Sequence, residues 1–519
     1  MQAKLYSFHG GMHLDGHKAE SLGRELRTAS LPKQLILPLR QHIGEYNKPL
    51  VDVGNRVRKG DVIAANSSLI CAAVHAPTSG VVSAIGSYPV PHPSGQQDDC
   101  IVIDVDGEDE AASTDIIDPQ SLAPDELIQR ICRAGIVGLG GAAFPTSPKL
   151  SRGKMHGVDT LIINGVECEP YITCDDMLMR HYAAEVIRGS GYLQQILGPN
   201  TTLIAIEDNK PEAIKAMQQA LADHPLANTE IIAIPTIYPS GGEKQLIQIL
   251  TGKEVPHGQL AFDIGLLCQN VGTCVAITRA LEQDEPLISR IVTCTGDNIE
   301  QPGNWDVRFG TPISHLIEQA GGYKNAEDTY LVMGGPMMGF ALSSDRLPIV
   351  KASNCIMVMR EETIPHTPGY HDECIRCSKC TEVCPAQLLP QQLYWHARAK
   401  AYDRTQEFNL FDCIECGCCS AVCPSQIPLV QYYRAAKSEI RAAQKAQFKS
   451  DRARVRFEFR EKRLLLKKQA DEERRRLKRE ALKKKQAQSG VADGSLPDPV
   501  QAALERVKER KKAVEDEPR

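Results

Sequence analysis

Two short runs of cysteine carry the most specific chemistry in the sequence. Residues 374–385 read CIRCSKCTEVCP and residues 413–424 read CIECGCCSAVCP. Both fit C-x2-C-x2-C-x3-C-P, the spacing that holds paired cubane [4Fe–4S] clusters. Three thiolates on a tight loop cap three irons of one cube. The fourth cysteine, on the following turn, points away and ligates the other cube. The proline stops the helix there and turns that cysteine across. The expected ligand sets are therefore Cys374, Cys377, Cys380 and Cys423 for one cluster, and Cys413, Cys416, Cys419 and Cys384 for the other. Structural zinc uses separated pairs rather than four cysteines in eleven residues. Disulfides need an oxidising compartment, and the first residues do not read as a secretory signal. The spacing selects Cys419 over Cys418, which is read as a bystander.

The elements that must position these cysteines fill a long chain. It has 519 residues, 42% hydrophobic and 24% charged, enough for several domains. Its 18 cysteines include nine in the two runs, eight of them at ligand spacing. The others lack pair spacing, as buried free thiols of a reducing cytoplasm do. Net charge is −5 and unevenly spread: residues 441–488 hold 19 Lys and Arg against 7 Asp and Glu, a local +12 that leaves −17 elsewhere. That balance excludes a globally basic nucleic-acid binder. No apolar stretch reaches the ~18 residues of a membrane span.

Residues 1–32 are polar, and His9, His13 and His17 have no carboxylate or cysteine at ligand spacing, so they read as a surface arm. Residues 33–106 carry short alternating strands split by Gly54 and Gly60, which predicts a small barrel or sandwich, and 107–124 read as a polar connector. A helix over about 125–133 follows. It leads into GIVGLGGAAFPTSPK (135–149), a glycine-rich stretch followed by a polar turn and Lys149. Gly138, Gly140 and Ala143 nominally match a dinucleotide fingerprint, but helix rather than strand precedes them. Such glycines with Lys149 are still able to cradle a phosphate through backbone N–H groups and one cation; a plain tight turn is the alternative. Beyond it, buried-type strands at 160–164, 201–206 and 230–234 alternate with helices, which predicts an α/β layer fold. Polar residues stand where the first strand ends, at Asn164, Glu167 and Glu169, and strand C-termini are where such sheets bind ligands. Met337 and Met338, among glycines, read as core packing.

These pieces resemble the flavin subunit of respiratory complex I and related NAD-linked hydrogenases. That family has G-x-G-G-A-x-F-P-T-x-x-K, N-x-x-E-x-E-P, Y-x-x-G-E-E and N-V-E-T segments in this order. The resemblance implies non-covalent FMN and oxidation of NADH. By position, Gly138, Gly140, Gly141 and Lys149 would hold the FMN phosphate. Asn164, Glu167 and Cys168 would line the flavin, and Asn270 and Thr273 would complete its site. Phe144, Glu169 and Glu243 would face the nicotinamide nucleotide, with Glu169 and Glu243 the expected catalytic pair. Val166, Gly242 and Gly272 depart from the family's acidic residues. Residues 33–106 resemble a lipoyl-type carrier domain without the modifiable lysine, since the tip reads LICAAV (69–74). Residues 290–345 resemble the β-grasp SLBB domain.

The combination resembles the RnfC (also RsxC) family, the C subunits of the Rnf electron transport complex. The implied architecture is multidomain α/β plus α+β: an arm (1–32), a lipoyl-like barrel-sandwich (33–124), a flavin-binding α/β domain (125–286), an SLBB β-grasp domain (287–350), a two-cluster ferredoxin-type α domain (365–435) and a charged helical tail (436–519). A flavin takes the electron pair of NADH and hands electrons singly to clusters, which gives both groups a reason to share a chain. The resemblance implies a peripheral location on the cytoplasmic face of the bacterial inner membrane. Its partners would be integral membrane subunits, a ferredoxin-like Fe–S subunit and NAD(H), with no nucleic acid. Two alternatives stay open: a soluble NADH-oxidising flavin subunit of a hydrogenase or formate dehydrogenase, and a non-enzymatic Fe–S relay with a vestigial flavin site. The tail reads as a solvated helix, or as a basic surface for anionic lipid or an acidic partner.

Overall fold

The computed structural model describes residues 4–68, 70–363, 371–488 and 499–515. Leu69 at the carrier-like tip, the first residues of the expected ferredoxin-type segment and parts of the arm and tail lie outside the described residues. The chain divides into two compact units, Met1–Ser438 and Glu439–Arg519.

The first part of the larger unit is a pair of small antiparallel sheets. One has the order Gln34–Pro38, Gln97–Val105, Gly80–Pro89, Arg56–Val57; the other Lys48–Pro49, Val62–Ala65, Val74–His75. Alternate residues Leu35, Leu37, Ile101 and Ile103 are fully buried between them with Ile63, as expected of strands with one face on a core. Gly80 is where two strands approach too closely for a side chain: a Cβ there would lie 2.3 Å from Asp104 O.

A four-stranded parallel sheet follows, in the order Thr229–Ile234, Thr201–Glu207, Thr160–Gly165, Leu266–Asn270. Its centre reads as an apolar run because the strand is covered on both faces: Leu161, Ile162 and Ile163 have no exposure. The first strand in sequence sits between the second and the fourth, so the order reverses beside it. At that switch point Asn164 and Asn270 are register partners, and the strand ends at a switch point are where such sheets bind ligands.

A six-stranded mixed sheet has the order Arg27–Thr28, Gly303–Arg308, Ser289–Thr295, Cys355–Met359, Tyr330–Met333, Phe340–Ala341. It draws strands from beyond both ends of the expected 287–350 segment. Cys355–Met359 is a short buried run that periodicity alone does not mark as a strand, and Arg27–Thr28 comes from the N-terminal arm. The arm is not a surface appendage. Besides that strand, it pairs Met12 with Tyr238 and sends Gly11 N to Val383 O at 3.1 Å. Met338 is 44% exposed, so it is not core, whereas Met337 is partly buried and packs against Tyr238, Cys416 and Cys418.

The cysteine-bearing segment folds as two copies of one backbone pattern. Arg376 and Ser378 have positive φ, and so do Glu415 and Gly417 at equivalent places; Gln387 and Gln426 repeat it after the fourth cysteines. A helix, Leu429–Gln488, then begins earlier than its charge pattern suggests. Leu429, Val430, Tyr433 and Ala436 are buried, so its first turns belong to the core, while nearly all its residues past 440 are exposed. Among the described residues no helix is long and apolar enough to cross a membrane.

Candidate functional site

Left-handed turns in each C-x2-C-x2-C loop aim its thiols inward. One cavity is lined by Cys413, Cys416 and Cys419 of the second run with Cys384 of the first; the other by Cys374, Cys377 and Cys380 of the first run with Cys423 of the second. Each cavity thus takes its fourth thiol from the opposite run. Cys418 also borders the first cavity, fully buried beside Tyr238 and Cys416. Burial pushes the Cys413 thiol up to about 11, against the nearby Lys437, and raises Cys384, Cys419 and Cys380 as well. Three buried thiols and the half-buried Cys413 facing one cavity are unfavourable as thiolates unless a cation joins them, which is the donor set an iron–sulfur cube requires. Lys437 Nζ donates to Cys413 O at 2.6 Å and to Glu415 at 2.8 Å, fixing the loop and setting a cation behind it.

The second site lies at the switch point of the parallel sheet. The glycine loop is closed by Gly138 N to Phe144 O at 2.8 Å and opens the helix Thr146–His156. Its tip is free: nothing lies within 4 Å of where a Gly141 Cβ would be, and φ there is +129°. Gly140 faces Asn270, whose Cβ would lie 3.3 Å from an added one. Lys149, on the first turn of that helix, donates to Cys268 O at 2.7 Å and to Glu243 at 3.1 Å. Asn164 Nδ2 donates to Gly241 O at 3.0 Å, and Gly241 N donates to the Cys168 thiol at 3.3 Å. Gly241 admits no side chain, because a Cβ would sit 2.9 Å from Val166 O and 3.1 Å from Cys168 Sγ. The glycine loop, Lys149, Asn164, Cys168, Asn270 and Glu243 are therefore brought together at the strand ends. Ser240 Oγ, Gln245 Oε1 and Thr146 Oγ1, on the surrounding loops and helices, are buried without a protein partner. A helix N-terminus, a glycine tip with open space and a first-turn lysine fit the phosphate of FMN.

Three expected site residues are placed differently. Thr273 is fully buried and accepts from Leu139 N at 3.0 Å, so it props the glycine loop from beneath. Glu167 accepts from Asp175 N at 2.8 Å and caps the helix Cys174–His181. Burial pushes its carboxyl up to about 7, against the pull of Lys18 and with the push of Asp175. Glu169 accepts from Met337 N and Met338 N, at 2.8 and 2.9 Å, so its carboxylate is turned onto the SLBB-type turn rather than toward a nucleotide. Phe144 is partly buried in the loop. Residue spacing gave no sign of Lys18, whose ammonium donates to Glu167 O, Glu169 O and Ile172 O. Nor did it single out Tyr238, whose hydroxyl donates to Cys416 O at 2.6 Å and so joins the crevice turn to a cysteine loop.

Family models match this division. Residues 131–279 match the Nuo51 FMN-binding domain, 6–108 the RnfC barrel sandwich hybrid domain, 291–341 the SLBB domain and 373–427 the 4Fe-4S dicluster domain. Among solved structures, a chain of an NAD+-reducing [NiFe]-hydrogenase is similar at 18% identity and a TM-score of 0.42, over 55% of this chain and 54% of that one. Among curated relatives, the C subunit of the ion-translocating oxidoreductase complex of Serratia proteamaculans (strain 568) is 48% identical over 98% of this chain and 70% of its own length. The C subunit of the same complex from Vibrio cholerae (strain ATCC 39541) is 47% identical over 99% of this chain and 65% of its own length. With that identity along nearly all of its residues, the chain belongs to the family of C subunits of the ion-translocating oxidoreductase complex.

Proposed function

We propose that this chain is the peripheral redox subunit of a membrane-bound, ion-translocating oxidoreductase complex, exchanging electrons between NADH and ferredoxin-type carriers. The observation that carries the reading is the direct link between the two kinds of site. Tyr238, on the turn beside Gly241 and Glu243, hydrogen-bonds the loop of Cys416 at 2.6 Å, so the turn of the nucleotide-type site is tied to the loop of one cysteine cavity.

In this reading Gly138, Gly140, Gly141 and Lys149 hold the phosphate of FMN, and Asn164, Cys168 and Asn270 line its ring. Phe144 and Glu243 face NADH. Glu167, Glu169 and Thr273 hold the loops that carry those groups. Cys384, Cys413, Cys416 and Cys419 ligate the cluster nearer the crevice, and Cys374, Cys377, Cys380 and Cys423 the farther one. FMN, when bound, supplies the exchange between the electron pair of NADH and single electrons. Glu243, paired with Lys149, keeps that cation in place while it meets the phosphate. The partners are the integral subunits of the complex and a ferredoxin-like Fe–S subunit, and the chain sits on the cytoplasmic face of the inner membrane.

The test is anaerobic reconstitution, quantitation of iron, sulfide and FMN, and a spectrum before and after NADH. About eight irons, bound FMN and bleaching by NADH are expected. A second reading, an Fe–S relay without flavin, draws on one observation: Gly242 replaces an acidic residue where a Cβ would come 2.5 Å from Gln245 Oε1. About eight irons with no FMN and no response to NADH is its outcome.

A further inference from the structure

We propose that the N-terminal arm, residues 6–21, is a strap that holds the crevice loop 164–172 in register with the near cysteine cavity, and that the Lys18 ammonium is its positioning group. This rests on the reading of the crevice as an FMN site.

The loop after the strand Thr160–Gly165 leaves the sheet, and its carbonyls lose the strand partners that satisfied them. Lys18 Nζ meets three of them, donating to Glu167 O at 2.7 Å, Glu169 O at 2.7 Å and Ile172 O at 2.6 Å. An ammonium has three protons to donate, so these bonds use it completely, and a loop gathered around one cation has little freedom to splay. The next residues of the arm continue the seam. His17 stacks on Tyr171 at 4.4 Å with the rings 1° from parallel, Gly16 O accepts from Tyr171 N at 2.8 Å, and Ser21 Oγ meets Thr173 Oγ1 at 2.7 Å.

The same arm is fixed to the cysteine segment. Met12 and Tyr238 exchange two backbone hydrogen bonds, at 2.7 and 2.9 Å, and Tyr238 reaches Cys416 O. One residue earlier, Gly11 N donates to Val383 O, beside Cys384. Gly10 lies flat against that peptide: its φ is +69°, and a Cβ would come 2.6 Å from Val383 C and O and 2.9 Å from Cys384 C. From Gly10 to Ser21 the arm thus touches a cysteine loop, the crevice turn and the crevice loop in order. It fixes their separation from outside both domains. Burial lowers the Lys18 ammonium's pKa, while Glu167 pulls it back up; the cation stands beside a site that is to hold a redox-active ring.

The test uses the full chain, anaerobically reconstituted, as wild type, Lys18→Met and Gly10→Ala. The readouts are iron content, FMN affinity by fluorescence, the midpoint potential of bound flavin and the EPR spectrum of the reduced clusters. Methionine keeps the stem's packing and removes the three donors. K18M is expected to keep about eight irons, to bind FMN at least tenfold more weakly, and to hold the remaining flavin at a lower potential because a cation has gone. G10A is expected to keep its FMN affinity within about twofold and to shift the spectrum of the Cys384 cluster alone. K18M with wild-type FMN affinity and potential overturns the proposal. So does K18M that loses irons together with FMN, because the lysine then holds the whole fold, and so does an unchanged G10A spectrum. A wild-type chain that takes up iron but no FMN overturns the reading of the crevice itself, and the strap's role with it.

Discussion

Replacing Cys384 tests which cysteines share a cube. Cys384 belongs by sequence to the first run but lines the cavity of Cys413, Cys416 and Cys419, while its own run faces the cavity completed by Cys423. Each [4Fe–4S] cube holds four irons, so the wild-type chain should carry about eight and Cys384→Ala about four. Alanine removes one sulfur from a position 9% exposed, a packing loss of about 1 kcal/mol that leaves the fold standing. The single variant does not say which cube was lost; two double variants do. If ligation crosses, C384A/C413A strikes one cube twice and still keeps about four irons, whereas C384A/C374A strikes both and falls toward none. Without crossing the two outcomes exchange. Iron quantitation and EPR of the reduced protein read the result. Four irons in C384A/C374A and none in C384A/C413A would refute the crossed assignment and the argument from the cavities.

Cys418→Ala should keep about eight irons, because the loop offers Cys419 at the ligand spacing; loss of four would make Cys418 a ligand. Lys149→Met should leave iron content unchanged and weaken FMN at least tenfold, about 1.4 kcal/mol, read by fluorescence titration; unchanged affinity would remove Lys149 from the phosphate site. Gly241→Ala forces a methyl to within 2.9 Å of Val166 O; it should cost about 1–3 kcal/mol, lowering the melting temperature and FMN uptake together. Lys351 is fully enclosed, donating to Ala73 O at 2.8 Å and Gly135 O at 2.6 Å, and burial pushes its ammonium down to about 7. Between pH 7 and the ordinary lysine range the unfolded chain binds a proton the folded one lacks, so stability should rise with pH, by up to about 5 kcal/mol. Lys351→Met should abolish that rise in denaturant titrations at stepped pH, and a rise of equal size in the variant would count against it.

The cysteine sites were legible because their information is local. Four ligands and a proline fall within a dozen residues, the spacing fixes the loop, and the repeat tells that there are two. Three strands of the parallel sheet were legible for a similar reason, each a run of buried-type residues; the fourth, Leu266–Asn270, was not read as one. Asn164 and Lys149 were found because strand ends and glycine loops mark where a sheet opens, whereas Asn270 came from the family resemblance alone. The sheet near residue 355 was not legible, since Cys355–Met359 is a short apolar run with nothing in its period to separate strand from helix. Nor was the role of Glu169. Its carboxylate sits where the crevice begins, yet its partners are backbone N–H groups about 170 residues later, and no local pattern encodes that pairing.

The arm shows where such reading stops, in physical terms. Its residues are polar and short-ranged in pattern, and a segment of that composition ordinarily buries too little apolar surface to offset its own ordering. What orders this one is a set of contacts made 150 to 370 residues away in sequence, to groups whose own need for partners arises only after folding. Carbonyls left over when a strand ends, and a peptide beside a cysteine that must sit at a fixed place, are demands that the folded domains create. A single lysine, two glycines and a methionine backbone meet them. The specificity therefore belongs to the assembled surface, and the arm's sequence reads as ordinary because it supplies common groups, N–H, C=O and one ammonium, at places only the fold defines.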